Sequence, residues 1–210
     1  MRRLRNTVGI AGAVVATLLG PGAAEAGTFS DSAQSCSGRV ASQPFLPWLD
    51  PFRYVLAPRA TFERGTVGWR LAGGAAIVTG NEPFLASGPG THSLYLPSGS
   101  SATTPSMCVE LLNPTVRYFA RNRGSVLLSS LAVDVLFEDP LKGTVRALPA
   151  GVHTGGSSWH PSLPSVVLLD FLAPALSRDG HIAVAFRFRP VGVGARWQMD
   201  DVYVDPFIQR

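Results

Sequence analysis

"HIAVAFRFRP", residues 181–190, alternates without a break: Ile182, Val184, Phe186 and Phe188 share one parity, and Ala183, Ala185, Arg187 and Arg189 share the other. An extended chain points successive side chains to opposite faces, so this pattern specifies a strand with one face in a core. "LAVDVLFED" at 131–139 repeats it, with Leu131, Val133, Val135 and Phe137 opposite Asp134 and Glu138. "VGWRLAG" and "AAIVTG" read as a first pair of strands split by Gly73–Gly74. "HSLYLP", "TVRYFAR" and "VRALP" read as further strands, while "SVVLLDFL" at 165–172 is apolar on both faces. No long segment carries a helical period, and 22 Gly and 17 Pro are spread between the runs. Short strands joined by tight turns follow. The expected fold is all-β, an antiparallel β-sandwich of jelly-roll type with eight or nine strands, spanning residues 59–210.

Two segments precede it. Residues 1–26 have the form of an export signal: a basic "MRRLRNT", an apolar "VGIAGAVVATLLG" and a small-residue "AEA" at 24–26. Cleavage near Ala26 and an extracellular destination are expected, with no membrane insertion, since the apolar run is too short to span a bilayer. Removing this segment takes three of the 18 basic and one of the 14 acidic residues, leaving a net charge of +2. With Lys142 the only lysine and no basic run, nucleic-acid binding is not supported. Residues 27–58 carry Pro44, Pro47, Pro51 and Pro58 among Phe45, Leu46, Trp48, Leu49, Phe52 and Tyr54. That composition predicts an extended arm packed across the domain; its alternative use is as a strip for a protein partner. Cys36 and Cys108 are the only cysteines. In an oxidising compartment they are expected to form one disulfide, pinning the arm.

The closing segment "ARWQMDDVYVDPF" places Asp200 and Asp201 side by side in what otherwise reads as a buried strand. Its apolar parity switches between Met199 and Val202, which a β-bulge at the two aspartates would explain. Adjacent carboxylates there either coordinate a hard cation, pair with Arg64, Arg70 or Arg196, or cap backbone amides. "ATFERGTVGWRL" at 60–71 with "RWQMDDVYV" at 196–204 resembles the first and last strands of carbohydrate-binding jelly rolls of the galactose-binding-like superfold. In those modules the two strands are neighbours, and a Glu from one and an Asp from the other hold a structural calcium. The resemblance implies Glu63, Asp201 and Asp200 as metal ligands. The chain also resembles a group of uncharacterised secreted proteins of high-GC bacteria, through "PWLDP", "GNEPF" and "SATTPSMCV".

Catalytic signatures are sparse. There is no G-x-S-x-G, and His92, His153, His160 and His181 stand singly, without metal-ligand spacing. A carboxylate pair for glycoside hydrolysis, such as Asp134 with Asp170, is one alternative. The leading expectation is a non-catalytic module that binds a cell-wall or environmental glycan. If strands 115–121, 131–139 and 181–190 share a sheet, Arg117, Arg121, Asp134 and Arg187 line one polar groove. Trp159 is either a sugar-stacking platform or core, and Trp69 and Trp197 are expected in the core.

Overall fold

The computed structural model describes residues 39–110, 115–139, 144–166 and 181–205. Residues 1–26, expected to be an export signal, together with Cys36, the start of the arm, Asp170 and most of the 165–172 segment, lie outside the described residues. In chain order the strands are β1 (Ala41–Ser42), β2 (Tyr54–Leu56), β3 (Arg70–Ala72), β4 (Ala76–Thr79), β5 (His92–Leu96), β6 (Ser101–Thr103) and β7 (Met107–Glu110). There follow β8 (Thr115–Asn122), β9 (Ser129–Asp139), β10 (Thr144–His153), β11 (His160–Pro161), β12 (Ser165–Val166), β13 (His181–Gly192) and β14 (Trp197–Asp205). One 3-10 turn, Leu46–Trp48, is the sole helical element among the described residues. No helix there is long and apolar enough to cross a membrane.

All pairings are antiparallel and form two sheets packed as a sandwich. The six-stranded sheet runs β10-β9-β13-β6-β3, with β7 also on β13; the eight-stranded sheet runs β1-β2-β14-β5-β4, with β8 on β14 and β11 and β12 on β8. The alternating residues close the space between them as read: Leu131, Val133, Val135 and Phe137 of β9 and Val184, Phe186 and Phe188 of β13 are buried. They meet Val116, Tyr118 and Ala120 of β8, Leu94 and Leu96 of β5, and Trp197 and Met199 of β14. Each large apolar side chain so buried contributes roughly 1.5–3 kcal/mol. Trp69 and Trp197 are both in this core.

Three pairings differ from expectation. Strands β3 and β4 do not pair; they belong to opposite sheets. Gly73 and Gly74 lie at φ +64° and +85° and turn the chain from one sheet to the other, and a Cβ on Gly73 would stand 2.5 Å from the Gly99 carbonyl oxygen. Nor is the 60–71 segment a strand partner of β14. It is mostly turns, joined to the closing strand by Asp201 N–H donating to the Ala60 carbonyl at 3.0 Å. The strand that does pair there is β2, through Tyr203↔Leu56 and Val204↔Val55. Residues 41–56 are therefore part of the sheet, and their aromatic side chains cover its outer face: Phe45 and Tyr54 pack with Phe119 and Tyr203, flanked by Trp48 and Trp159.

Candidate functional site

The closing strand carries the expected bulge. Against β8 the register steps from Asp200↔Phe119 to Tyr203↔Arg117, one extra residue on β14, with Asp201 at φ +48°. That residue turns the apolar parity from Met199 to Val202 and leaves both aspartates fully buried. Among the described residues, no arginine pairs with them. Asp200 accepts from the backbone amides of Glu82 (3.3 Å) and Asp201 (2.9 Å), and Asp201 accepts from the amide (3.0 Å) and hydroxyl (2.7 Å) of Ser87. A third buried carboxyl, Glu82, completes the group and accepts from the amides of Phe84 and Ala86. Burial pushes Asp200 up to about 9, reinforced by the charge of Asp201, and burial also pushes Asp201 up to about 7.

Glu63 is turned elsewhere. Its carboxylate accepts from the amides of Thr91 and His92 at 2.7 and 2.6 Å and faces His92 Nδ1 at 3.0 Å. Desolvation works to raise it, but the hydrogen bonds from His92 and Thr91 hold it down at about 2. It lines a recess of about 460 Å³ with Ser87, Asn81 and Arg59, next to the aspartates. Among the described residues, no three His, Cys, Asp or Glu side chains are grouped to hold a metal ion. The expected set of Glu63, Asp200 and Asp201 is thus not assembled as a cage; the three buried carboxyls are Glu82, Asp200 and Asp201, with no ion-pair partner among the described residues.

The expected polar groove is not formed either, because β8 lies in one sheet and β9 and β13 in the other. Asp134 sits opposite Arg187 across β9 and β13, and both Arg187 and Arg189 donate to it, at 2.8–3.1 Å. Burial alone would raise Asp134, yet the bonds from Arg189 and Arg187 hold it below its ordinary value. Arg117 is buried: it donates to Asp50, donates twice to the Ser162 carbonyl at 2.9 and 2.7 Å, and lies 4.0 Å over the Phe45 ring. It locks the N-terminal cover onto the sheet and cannot meet a ligand.

Arg121, four residues further along β8, lies where that cover ends. Gln198 of β14 sits directly across from it, and Gln198 Oε1 accepts from Arg121 Nε and Nη2 at 2.9 and 2.8 Å. The Gln198 amide donates in turn to Ser93 Oγ at 2.6 Å. The other side of the guanidinium lies 5.0 Å from the centre of the Trp159 ring. Trp159 is half-buried against the outer aromatic cluster, so it braces Arg121 rather than standing free as a platform. A recess of about 330 Å³ opens here, lined by Val78, Thr79, Tyr95, Arg121, Arg123, Arg196 and Gln198. Tyr95, half-exposed on β5, is the aromatic ring in it. Sequence reading missed Tyr95, Gln198 and Arg123, and offered Arg196 only as a partner for the aspartates. Alternation in "RNR" and "ARWQ" puts these polar residues outward, but only the register of β8 on β14 brings the two runs together.

The histidines are less isolated than their spacing implies. His153 is buried against Tyr118 and Trp197, its Nε2 3.1 Å from that of His160. Gly155 makes room for them, since a Cβ there would fall 2.0 Å from His160 Nε2.

No family model matches the chain, and no curated protein matches it. Solved structures do share its fold. The CBM22-1–GH10 modules of the Clostridium thermocellum endo-1,4-β-D-xylanase 10B, complexed with xylohexaose, superpose with a TM-score of 0.50 at 11% identity over 72% of this chain and 28% of theirs. The CBM22-1–CBM22-2 tandem of Paenibacillus barcinonensis Xyn10C gives 0.50 at 11% identity over 81% of this chain and 46% of its own. TmCBM61 in complex with β-1,4-galactotriose gives 0.41 at 18% identity, over 71% and 96%. The chain thus spans less than half the length of the first two.

Proposed function

We propose that this chain is an exported, non-catalytic glycan-binding module, and that it binds at the uncovered end of the outer face of its eight-stranded sheet. The observation that carries this is the recess around Arg121. Its guanidinium is held in place by Gln198 and Trp159 before any ligand arrives, and a half-exposed aromatic ring, Tyr95, stands beside it. A preorganised planar donor next to an aromatic face is what sugar recognition needs: bidentate bonds to hydroxyl or carboxyl oxygens, and apolar contact for a ring. The carbohydrate-binding modules with which it shares a fold lend support by analogy only. Retention of the wild type on insoluble xylan, galactan, pectin, chitin or peptidoglycan, lost in Tyr95→Ala and in Arg121→Met, is the expected result. No retention on any of these would overturn the reading.

A calcium ion belongs to this proposal as a structural partner of the Asp200–Asp201 bulge, answering the charge of Glu82 and the two aspartates. Binding it would require side chains to leave their present amide and hydroxyl donors. An alternative, association with another protein through residues 27–58, is favoured by the exposure of Leu46 (52%), Leu49 (94%) and Phe52 (53%) on the covering segment. A concentration-dependent oligomer abolished by serine at these three positions would establish it. The hydrolase alternative has less to rest on. An aspartate clamped ionised by two guanidiniums is a poor general acid, and Asp170 lies outside the described residues.

A further inference from the structure

The recess has an electrostatic peculiarity. Trp197 pairs with Asn122 and Gln198 with Arg121, so Arg196 and Arg123 face each other one step along, joined by the Arg123 amide donating to the Arg196 carbonyl at 2.7 Å. Like charges directly opposite on neighbouring strands are destabilising. Here the third cation, Arg121, stands on the same face two residues away. No carboxylate lines the recess, and none of the three arginines has an ion-pair partner among the described residues. Elsewhere most strand arginines are neutralised, Arg117 with Asp50, Arg146 with Asp139, and Arg187 and Arg189 with Asp134; the exposed Arg70 of β3 is not, but it faces Thr103 rather than a second arginine. A local rule broken without compensation marks a place kept for something other than stability.

We infer that the recess binds an anionic sugar, with Arg121, Arg123 and Arg196 converging on a carboxylate or sulfate group. This rests on the glycan-binding reading and narrows its ligand. Arg121 is the rigid member, because Gln198 and Trp159 fix its plane. Arg123 and Arg196 are exposed and free to close over the anion. Tyr95 and the Val78 and Thr79 side chains form the rest of the lining, against which the uncharged part of the sugar lies. Desolvation and the neighbouring Arg123 charge both act against the charged form of Arg121, and the negative charge of a bound anion offsets them.

The test compares polymers with one backbone and different charge. Polygalacturonate is set against its methyl ester and its carboxyl-reduced form, and dextran sulfate against dextran, by affinity electrophoresis of the wild type, Arg123→Gln, Arg196→Gln and the double variant. Arg70→Gln, an exposed arginine on the other sheet, controls for net charge. The expected result is a preference for a charged polymer over its neutral parent, weakened roughly ten-fold by each recess substitution and less than two-fold by Arg70→Gln, and falling as salt rises. Polygalacturonate or dextran sulfate alone being retained tells carboxylate from sulfate, and either supports the inference. Equal retention of charged and neutral forms overturns it while leaving the glycan-binding reading intact. An equal loss in Arg70→Gln overturns it as unspecific attraction. Retention of no polymer, these or neutral xylan and galactan, overturns both.

Discussion

Asp50 and Arg117 form a buried ion pair that joins the segment entering the sheet from the N-terminal side to the middle of β8. Asp50 also accepts from Tyr54 Oη at 2.8 Å and from the Phe52 amide at 3.0 Å, while Arg117 donates from Nε and Nη2 to the Ser162 carbonyl. One pair thus holds three separate stretches of chain. Replacing either partner alone strands the other charge away from water. Asp50→Asn and Arg117→Met should each cost about 3–5 kcal/mol in urea unfolding. Glycan retention by the folded fraction should be unaltered, because neither residue reaches the recess.

The Asp200–Asp201 pair makes stability depend on pH in an unusual direction. Burial raises both above the ordinary carboxylate value, helped by the charge of Asp201 at Asp200 and by Glu82 at Asp201. Between about pH 4 and the raised values, the folded state holds protons that the unfolded state has released, so stability falls as pH rises through that window. Thermal melts from pH 4 to 9 should show this decline in the wild type. Asp200→Asn, which keeps the shape of the protonated acid, should flatten it. A slope unchanged in Asp200→Asn would mean that other groups set it.

Calcium and protons compete for the same charge deficit. Millimolar calcium should therefore raise the melting temperature more at pH 8 than at pH 5, and a chelator should reverse the gain. Asp201→Ala should respond to neither. A wild type indifferent to both at pH 8 would remove the metal from the proposal.

His153 acts with the opposite sign. Burial, then the neighbouring His160, lowers it to about 4. The unfolded chain therefore takes up a proton first as pH falls from about 6.5, and this contribution to stability is lost toward pH 4. An NMR titration should find the His153 ring neutral at pH 5.5. Gly155→Ala should lower stability and bring the titration closer to the ordinary value, since the new methyl forces His160 out of its place.

Asp134 is expected to be structural. Asp134→Asn should cost about 1–3 kcal/mol, the loss of charge-assisted hydrogen bonds from two arginines. It should leave glycan retention as in the wild type. Turnover of a glycan that vanished in this variant would bring back the hydrolase alternative.

The expected disulfide between Cys36 and Cys108 is open to a test by substitution. Arg39, three residues after Cys36, donates from Nη1 to the Cys108 carbonyl at 2.9 Å, so the chain at this point already lies against β7. Cys36→Ser should lower stability by roughly 2–5 kcal/mol. An unchanged melt, with both thiols reactive, would remove the disulfide.

What could be read from the sequence here is what is encoded locally. Alternation along 131–139 and 181–190 depends on residues two apart, and it placed Leu131, Phe137, Val184 and Phe188 in the core without knowledge of any partner. The parity switch after Met199 is equally local, and so the bulge at Asp200–Asp201 was visible as a break in a pattern. What meets a residue across a sheet is set by register between segments far apart in sequence. Arg117 and Arg121 share a parity and looked alike; only the path of residues 45–56 buries the first and leaves the second open. Glu82 next to the aspartates, Asp134 between two arginines, and Arg123 facing Arg196 are likewise products of pairing over tens of residues. The strands and the faces they bury are encoded along the chain, because extended geometry repeats every two residues. Which charges are paired and which are not depends on the tertiary structure, because electrostatic partners are chosen by distance in space.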